Sequence, residues 1–221
     1  MFIDSHCHLD FEEFSTQLDE ILLNMKDAQV DKALCISVDV VDYPKVFDLA
    51  TRYDHLYATV GVHPDYESEP PFTSKTLVDL AQHPKVIAIG ETGLDYFRLT
   101  GDLEWQRERF RTHIQAAVEV NLPLVIHTRA SAEDTLRIMK EEEAQKVGGV
   151  MHCFTESLDV AMRSIELGFY ISFSGIVTFK NAKDLQEVAR HVPLERMLIE
   201  TDSPYLAPVP MRGKTNEPGF V

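Results

Sequence analysis

Two histidines stand two residues apart where the first apolar run ends, Phe2-Ile3-Asp4-Ser5-His6-Cys7-His8. Side chains alternate across a strand, so a strand over residues 2–8 turns both imidazoles to one face, where they can hold a metal ion. An isolated His-x-His pair is weak testimony, because histidine is often structural. The later apolar runs strengthen it. The third ends at His63, the fourth leads into Glu91, the fifth ends at His127, the sixth carries His152, and the eighth carries Glu200 and Asp202. A single histidine or carboxylate at a strand end has bland explanations, such as a cap, an Asx turn or a surface pair. Four histidines and two carboxylates converging on one rim would be costly to bury unpaired, and metal coordination removes that cost. Nitrogen and carboxylate donors without thiolate suit Zn, Mn, Ni or Fe, and mixed sites accept Mg. Six ligands exceed what one catalytic ion with an open position uses, but fit two ions roughly 3.5–4 Å apart that share a carboxylate. Glu200 lies one pleat below Asp202 on the same face and reads as a partner of a ligand histidine. Asp4 stands in the same relation to His6.

These residues share a rim only if the elements between them alternate. Strands are expected over 2–8, 32–38, 56–63, 86–95, 124–127, 149–154, 170–174 and 197–202. Helices with apolar positions at helical spacing are expected over 17–28, 43–53, 74–82, 103–121, 132–146, 158–167 and 182–191. Strict alternation implies parallel strands joined by right-handed crossovers, and eight units favour a (β/α)8 barrel over an open sheet. The first βα turn lacks a glycine-rich dinucleotide fingerprint. No linker or repeat divides residues 1–221, so one domain is expected. Asn216-Glu217-Pro218 resembles a helix start, with Asn capping and Pro in the first turn. The sequence stops at Val221, so an α/β barrel without its final helix is expected, with an apolar seam beside the first and seventh helices.

Hydrophobic residues make up 44% of the chain, enough for a sizeable core. No apolar run reaches the roughly 20 residues of a membrane span, and no secretory signal is apparent. Cys7, Cys35 and Cys153 are too scattered for a disulfide framework, so a cytoplasmic home is expected. Cys7 and Cys153 adjoin candidate ligands but should face away from them as buried small hydrophobes. His55, His83, His113 and His191 lie in or beside helices and read as solvated or capping residues. The net charge of -15 disfavours broad electrostatic wrapping of duplex nucleic acid; bound divalent ions would supply local positive charge for a polyanionic substrate.

The stretches DSHCHLD, GVHP, GETGLDY, VIHTR, HCFT, YISFSGIVTF and ETDSPYLAPVP, followed by RGK and NEP, resemble the TatD family of metal-dependent deoxyribonucleases, within the amidohydrolase-like metallohydrolases. The resemblance runs from Phe2 to the last residue. It implies that His6, His8 and Asp202 hold one ion, that His127 and His152 hold a second, and that Glu91 bridges them. The ions would be Mg, Mn or Zn. His63 would lie near the substrate phosphate, and the family barrel continues through a final helix that this sequence lacks. Arg129 matches phosphate oxygens in shape and charge, with a surface pair to Glu133 as the alternative. Tyr205, Phe154 and Phe97 stand in rim loops where bases could stack, although such aromatics more often pack.

The implied activity is metal-assisted hydrolysis of DNA phosphodiesters, of the 3'–5' exonuclease type, on single strands or frayed ends. Asp202 would orient the attacking water and take its proton. The same ligands would also serve hydrolysis of an ester, lactone, amide or aminoacyl-RNA bond, and a non-catalytic metal-binding protein is a further alternative.

Overall fold

The computed structural model describes residues 1–66, 72–97 and 99–221. Eight parallel strands follow the chain order: β1 (Phe2–Cys7), β2 (Val30–Cys35), β3 (Leu56–Val60), β4 (Val86–Asp95), β5 (Leu124–Arg129), β6 (Gly149–Met151), β7 (Phe169–Phe173) and β8 (Met197–Ile199). Seven helices alternate with them: α1 (Leu18–Asp27), α2 (Tyr43–Arg52), α3 (Ser74–Leu80), α4 (Glu104–Val120), α5 (Ala132–Glu141), α6 (Leu158–Glu166) and α7 (Lys183–His191). The ring closes where the Asp202 N–H donates to His6 O at 2.9 Å and the His8 N–H donates to Ser203 O at 2.9 Å. The result is a nearly closed TIM-type barrel, as the alternation implies.

Parallel strands covered on both faces need apolar residues on both. β4 illustrates this, being buried at nearly every position. Its outward residues join the large core beneath the helices, where Phe110 and Ile114 of α4 meet Leu94. A separate cluster of Ile36, Ala88, Val125 and Val150, with Leu34 and Leu198 against it, lies inside. Val125, Val150 and Leu198 precede His127, His152 and Glu200 by two positions, so the same strand faces carry the apolar plug and, above it, the polar rim. Glycine permits the close approach of β4 to β5. A Cβ at Gly93, where φ is +136°, would lie 2.0 Å from His127 O, and one at Gly90 would lie 2.7 Å from Val125.

Several expectations need correction. β6 and β8 end at Met151 and Ile199, so His152, Glu200 and Asp202 sit on the loops just beyond the strands. Asp202 takes a left-handed φ of 56°. The helix start expected at 216–218 is a single 3-10 turn with Pro218 in its first turn, and Glu217 stands at the cap position in place of Asn216. The buried Asn216 amide donates to Thr201 O (2.8 Å) and Tyr205 O (2.6 Å), and the turn, Pro218–Phe220, is set against α1. On the strands either side of the closure, Ile3 of β1 is 52% and Ile199 of β8 39% exposed. No helix among the described residues is long and apolar enough to cross a membrane.

Candidate metal centre

The rim gathers the predicted donors around one carboxylate. Glu91 is 2% exposed, and four imidazoles face it: His152 Nε2 at 2.8 Å, His127 Nδ1 at 3.2 Å, His6 Nε2 at 3.3 Å and His63 Nε2 at 3.4 Å. Asp202 Oδ1 lies 3.4 Å from His8 Nε2 and 3.6 Å from His6 Nε2. The His6 and His152 rings stack with centroids 3.8 Å apart. Three sets of donor atoms are close enough to share an ion: His6, His8 and Glu91; His6, His152 and Asp202; and His63, Glu91 and His127.

The partners behind each ring fix which nitrogen carries a proton. His127 Nε2 lies 3.1 Å from the buried Asp95 carboxylate, which accepts its proton, so the Nδ1 lone pair is turned on Glu91. His152 Nδ1 lies 3.3 Å from Glu200 Oε1, which leaves the Nε2 lone pair facing Glu91. His63 behaves differently. Its Nδ1 accepts the Asp65 N–H at 3.1 Å, so the neutral ring holds its proton on Nε2. Burial keeps that ring neutral, lowering its pKa to about 3 against the raising effect of Glu91. His63 therefore presents a donor where His127 and His152 present lone pairs.

A lone pair aimed at a carboxylate oxygen is unfavourable unless a cation or proton lies between them. Either ring nitrogen of His6, Nδ1 of His8 and Nε2 of His152 are buried without a hydrogen-bond partner among the described residues. The electrostatics are consistent with a cation. Burial alone would raise Glu91, yet His152, His63 and His127 hold it well below the usual carboxylate range. Burial lowers His152, but Glu91 and Glu200 outweigh it and push that imidazole well above its usual value. Asp202 is likewise held low by His8, His6 and His152 against the opposite pull of burial. The donor set thus fits divalent ions, which would take the place of protons between lone pair and carboxylate.

Asp95 was not singled out by the sequence reading. The signal is its place four residues after Glu91 on one strand, so that Glu91, Gly93 and Asp95 share a face and Gly93 pairs with His127. Gln106 of α4 was missed as well. Fully buried, it accepts the Asp95 N–H (2.9 Å) and donates to Pro64 O (3.1 Å) and Asp95 O (3.3 Å). His113 needs correction too: it is fully buried, where a solvated or capping residue was expected. Its Nε2 accepts the Val62 N–H at 3.0 Å, and its Nδ1–H donates to Arg109 O at 2.8 Å. Gln106 and His113 lie seven residues apart, on one face of α4, and together secure the ends of β3 and β4.

The remaining expectations divide. Glu200 sits behind His152. Asp4 does not reach the His6 ring: its carboxylate accepts the backbone N–H groups of His6 (3.2 Å) and Thr201 (2.9 Å), tying β1 to the loop after β8. Glu133 pairs with Arg163, while Arg129 lies over the Phe97 ring at 4.0 Å. Phe154 is buried core, so no base can stack on it. Cys153 is half-buried, its Sγ 3.3 Å from Ser174 Oγ, and it lines the central cavity; Cys7 is fully buried. That cavity, of about 690 Å³, opens over the cluster and is walled by Phe11, Tyr66, Arg129, Ile176, Tyr205 and Leu206.

Residues 3–221 match the family model described as TatD related DNase. The chain belongs to the TatD family. It is 45% identical to the uncharacterized metal-dependent hydrolase YcfH of Escherichia coli (strain K12), over 99% of this chain and 83% of that one. It is 30% identical to the 3'-5' ssDNA/RNA exonuclease TatD of Salmonella typhimurium, over 99% and 86%. The crystal structure of YJJV, a TatD homolog from Escherichia coli k12, superposes with a TM-score of 0.89 at 30% identity, covering 99% of this chain and 85% of that one. As a TatD-family protein the chain is a metal-dependent hydrolase.

Proposed function

We propose that this hydrolase is a deoxyribonuclease that removes nucleotides from the 3' end of single-stranded or frayed DNA. The observation that carries the reading is the set of imidazole lone pairs turned on Glu91 inside a cavity that also holds a guanidinium and exposed aromatic rings. His6, His8 and Asp202 would hold one divalent ion and His127 and His152 a second, with Glu91 between them; Mg, Mn or Zn all suit these donors. Ions bound there supply Lewis acidity and water activated for attack at neutral pH.

The chain's own groups do the rest. Asp202, held ionised by its histidine neighbours, takes the proton that the attacking water loses. The Nε2–H of His63 donates to a phosphoryl oxygen. Arg129, held over Phe97, meets a second oxygen as charge builds in the transition state. Phe11 lies against His8 (4.7 Å) and Tyr205 against Phe11 (6.3 Å), offering a terminal base an aromatic wall. The Salmonella typhimurium relative, named an exonuclease on ssDNA and RNA, supports the polarity and the strand preference.

The test is digestion of a 5'-labelled single strand with Mg, Mn or Zn in turn. The expected result is a ladder shortening from the 3' end, lost in His6→Ala and Asp202→Ala. Metal-dependent ester hydrolysis by a protein that leaves every strand intact would overturn the reading.

A further inference from the structure

Two stretches at the mouth differ in charge from the rest of the molecule. The chain carries 36 Asp and Glu against 21 Lys and Arg, yet no carboxylate occurs between Glu166 and Asp184 or between Asp202 and Glu217. The first stretch contains β7 and its following 3-10 turn, Gly175–Thr178; the second follows β8. They carry Lys180, Lys183, Arg212 and Lys214, all exposed. On several helices the cations are paired with carboxylates: Arg111 holds Glu141 and Glu142, Arg137 holds Asp134 and Glu141, Arg163 holds Glu133, and Arg190 holds Glu187. Among the described residues no ion pair joins any of the four lip cations to a carboxylate.

The two stretches form one body. The Val209 N–H donates to Thr178 Oγ1 at 2.8 Å. A Cβ at Gly175 would lie 2.1 Å from Leu206 O. Arg212 lies over the Phe179 ring at 3.9 Å and donates to Ala207 O at 3.5 Å. The buried Asn216 amide, described above, anchors the far end of the second stretch. Ile176, Tyr205 and Leu206 belong to the same stretches and wall the cavity, so the lip continues outward from the cavity. The Arg-Gly-Lys motif is thereby placed at the mouth, with no task in the chemistry.

We propose that this β7–β8 lip is the track on which the uncleaved part of a single-stranded nucleic acid lies, its phosphates over Lys180, Arg212 and Lys214 and its end in the cavity. The proposal rests on the nuclease reading. Cations without a carboxylate partner gain most from a polyanion, because no protein ion pair must be broken and counterions are released. The net charge of -15 repels the same backbone from most of the surface, which makes the carboxylate-free lip a favourable exit. Phosphate contacts carry no base information, so the lip supplies processive grip without sequence preference.

The test is kcat/KM on DNA and RNA strands from a dinucleotide up to about 16 nucleotides, the upper range of single-strand sites, at several salt concentrations, with the metal-loaded full chain. For the wild type, kcat/KM is expected to rise with length and to fall steeply with salt. In Lys180→Ala/Lys214→Ala the gain with length should largely vanish. The salt slope on long strands should fall by about 1.4, at about 0.7 for each lost single-strand contact. Both lysines are exposed, so an unchanged Tm would confirm that the variant is folded. A variant that keeps the wild-type length gain and slope, or that loses activity equally at every length, would overturn the lip while leaving the nuclease reading intact. A wild type that cleaves no strand at any length, with metal bound, would overturn both.

Discussion

Two buried polar assemblies lie within a few residues of each other, and they are built on opposite rules. Beneath the loops after β3 and β4, Gln106 and His113 meet backbone groups one for one: every donor has an acceptor, and nothing is left for a ligand. At the mouth, imidazole nitrogens and carboxylates crowd together with lone pairs opposed, and several nitrogens have no hydrogen-bond partner among the described residues. Both contain a fully buried histidine, His113 in one and His6 in the other. Burial alone therefore does not mark a functional residue; what marks it is whether the surrounding protein satisfies it. The knot serves the mouth, since Gln106 fixes the backbone of Asp95 and Asp95 orients His127.

Because the two assemblies follow opposite rules, substitutions in them should fail differently. The largest effect is expected for Glu91→Gln, which removes the negative charge that four imidazoles face. Metal content by elemental analysis should fall sharply, and activity by more than the roughly 10–100-fold typical of lost ligand partners, while the metal-free protein stays folded. Asp95→Asn comes next. The amide can no longer accept a charge-assisted bond from His127 Nε2, and metal affinity by calorimetry should drop about 10–100-fold. Gln106→Leu leaves the Asp95 N–H and Pro64 O buried without partners. Urea denaturation should show a loss of about 2–6 kcal/mol, at about 1–3 kcal/mol for each orphaned group. Added metal should still stabilise this variant; a variant of normal stability would mean that the knot is dispensable.

The smallest effect should appear only in acid. Burial lowers His113 to about 4, below the ordinary 6.5. As pH falls through 6.5, the unfolded chain takes up that proton first. Stability from this group is therefore intact above about pH 6.5 and is lost progressively toward pH 4, by up to about 3 kcal/mol. His113→Gln can accept from Val62 and donate to Arg109 without titrating. Its Tm, measured at matched metal loading, should fall less between pH 6.5 and 4 than that of the wild type. Equal slopes would show that other groups control acid unfolding.

Strand-end chemistry was legible in the sequence because strand periodicity is short-range: His6 and His8 share a face whatever the rest of the chain does. The alternation of apolar runs with amphipathic stretches was enough to count eight strands. The ends of β6 and β8 were not legible. Those strands stop where the backbone turns to set His152 and Asp202, and a left-handed residue at position 202 leaves no mark on an apolar pattern. His113 misled for a related reason: on a helix, a histidine facing the barrel looks the same in sequence as one facing water.

The sequence by itself determined the barrel class, the rim on which the donors lie and the acidity against which any polyanion must bind, because these follow from residue type, spacing and count. Only the tertiary structure decided which ring nitrogen each histidine turns inward, that Asp95 stands behind His127, and that the β7 and β8 loops fuse into one cationic lip. Those outcomes depend on contacts between residues distant in the chain, and the geometry of such contacts is set when the ring of strands closes.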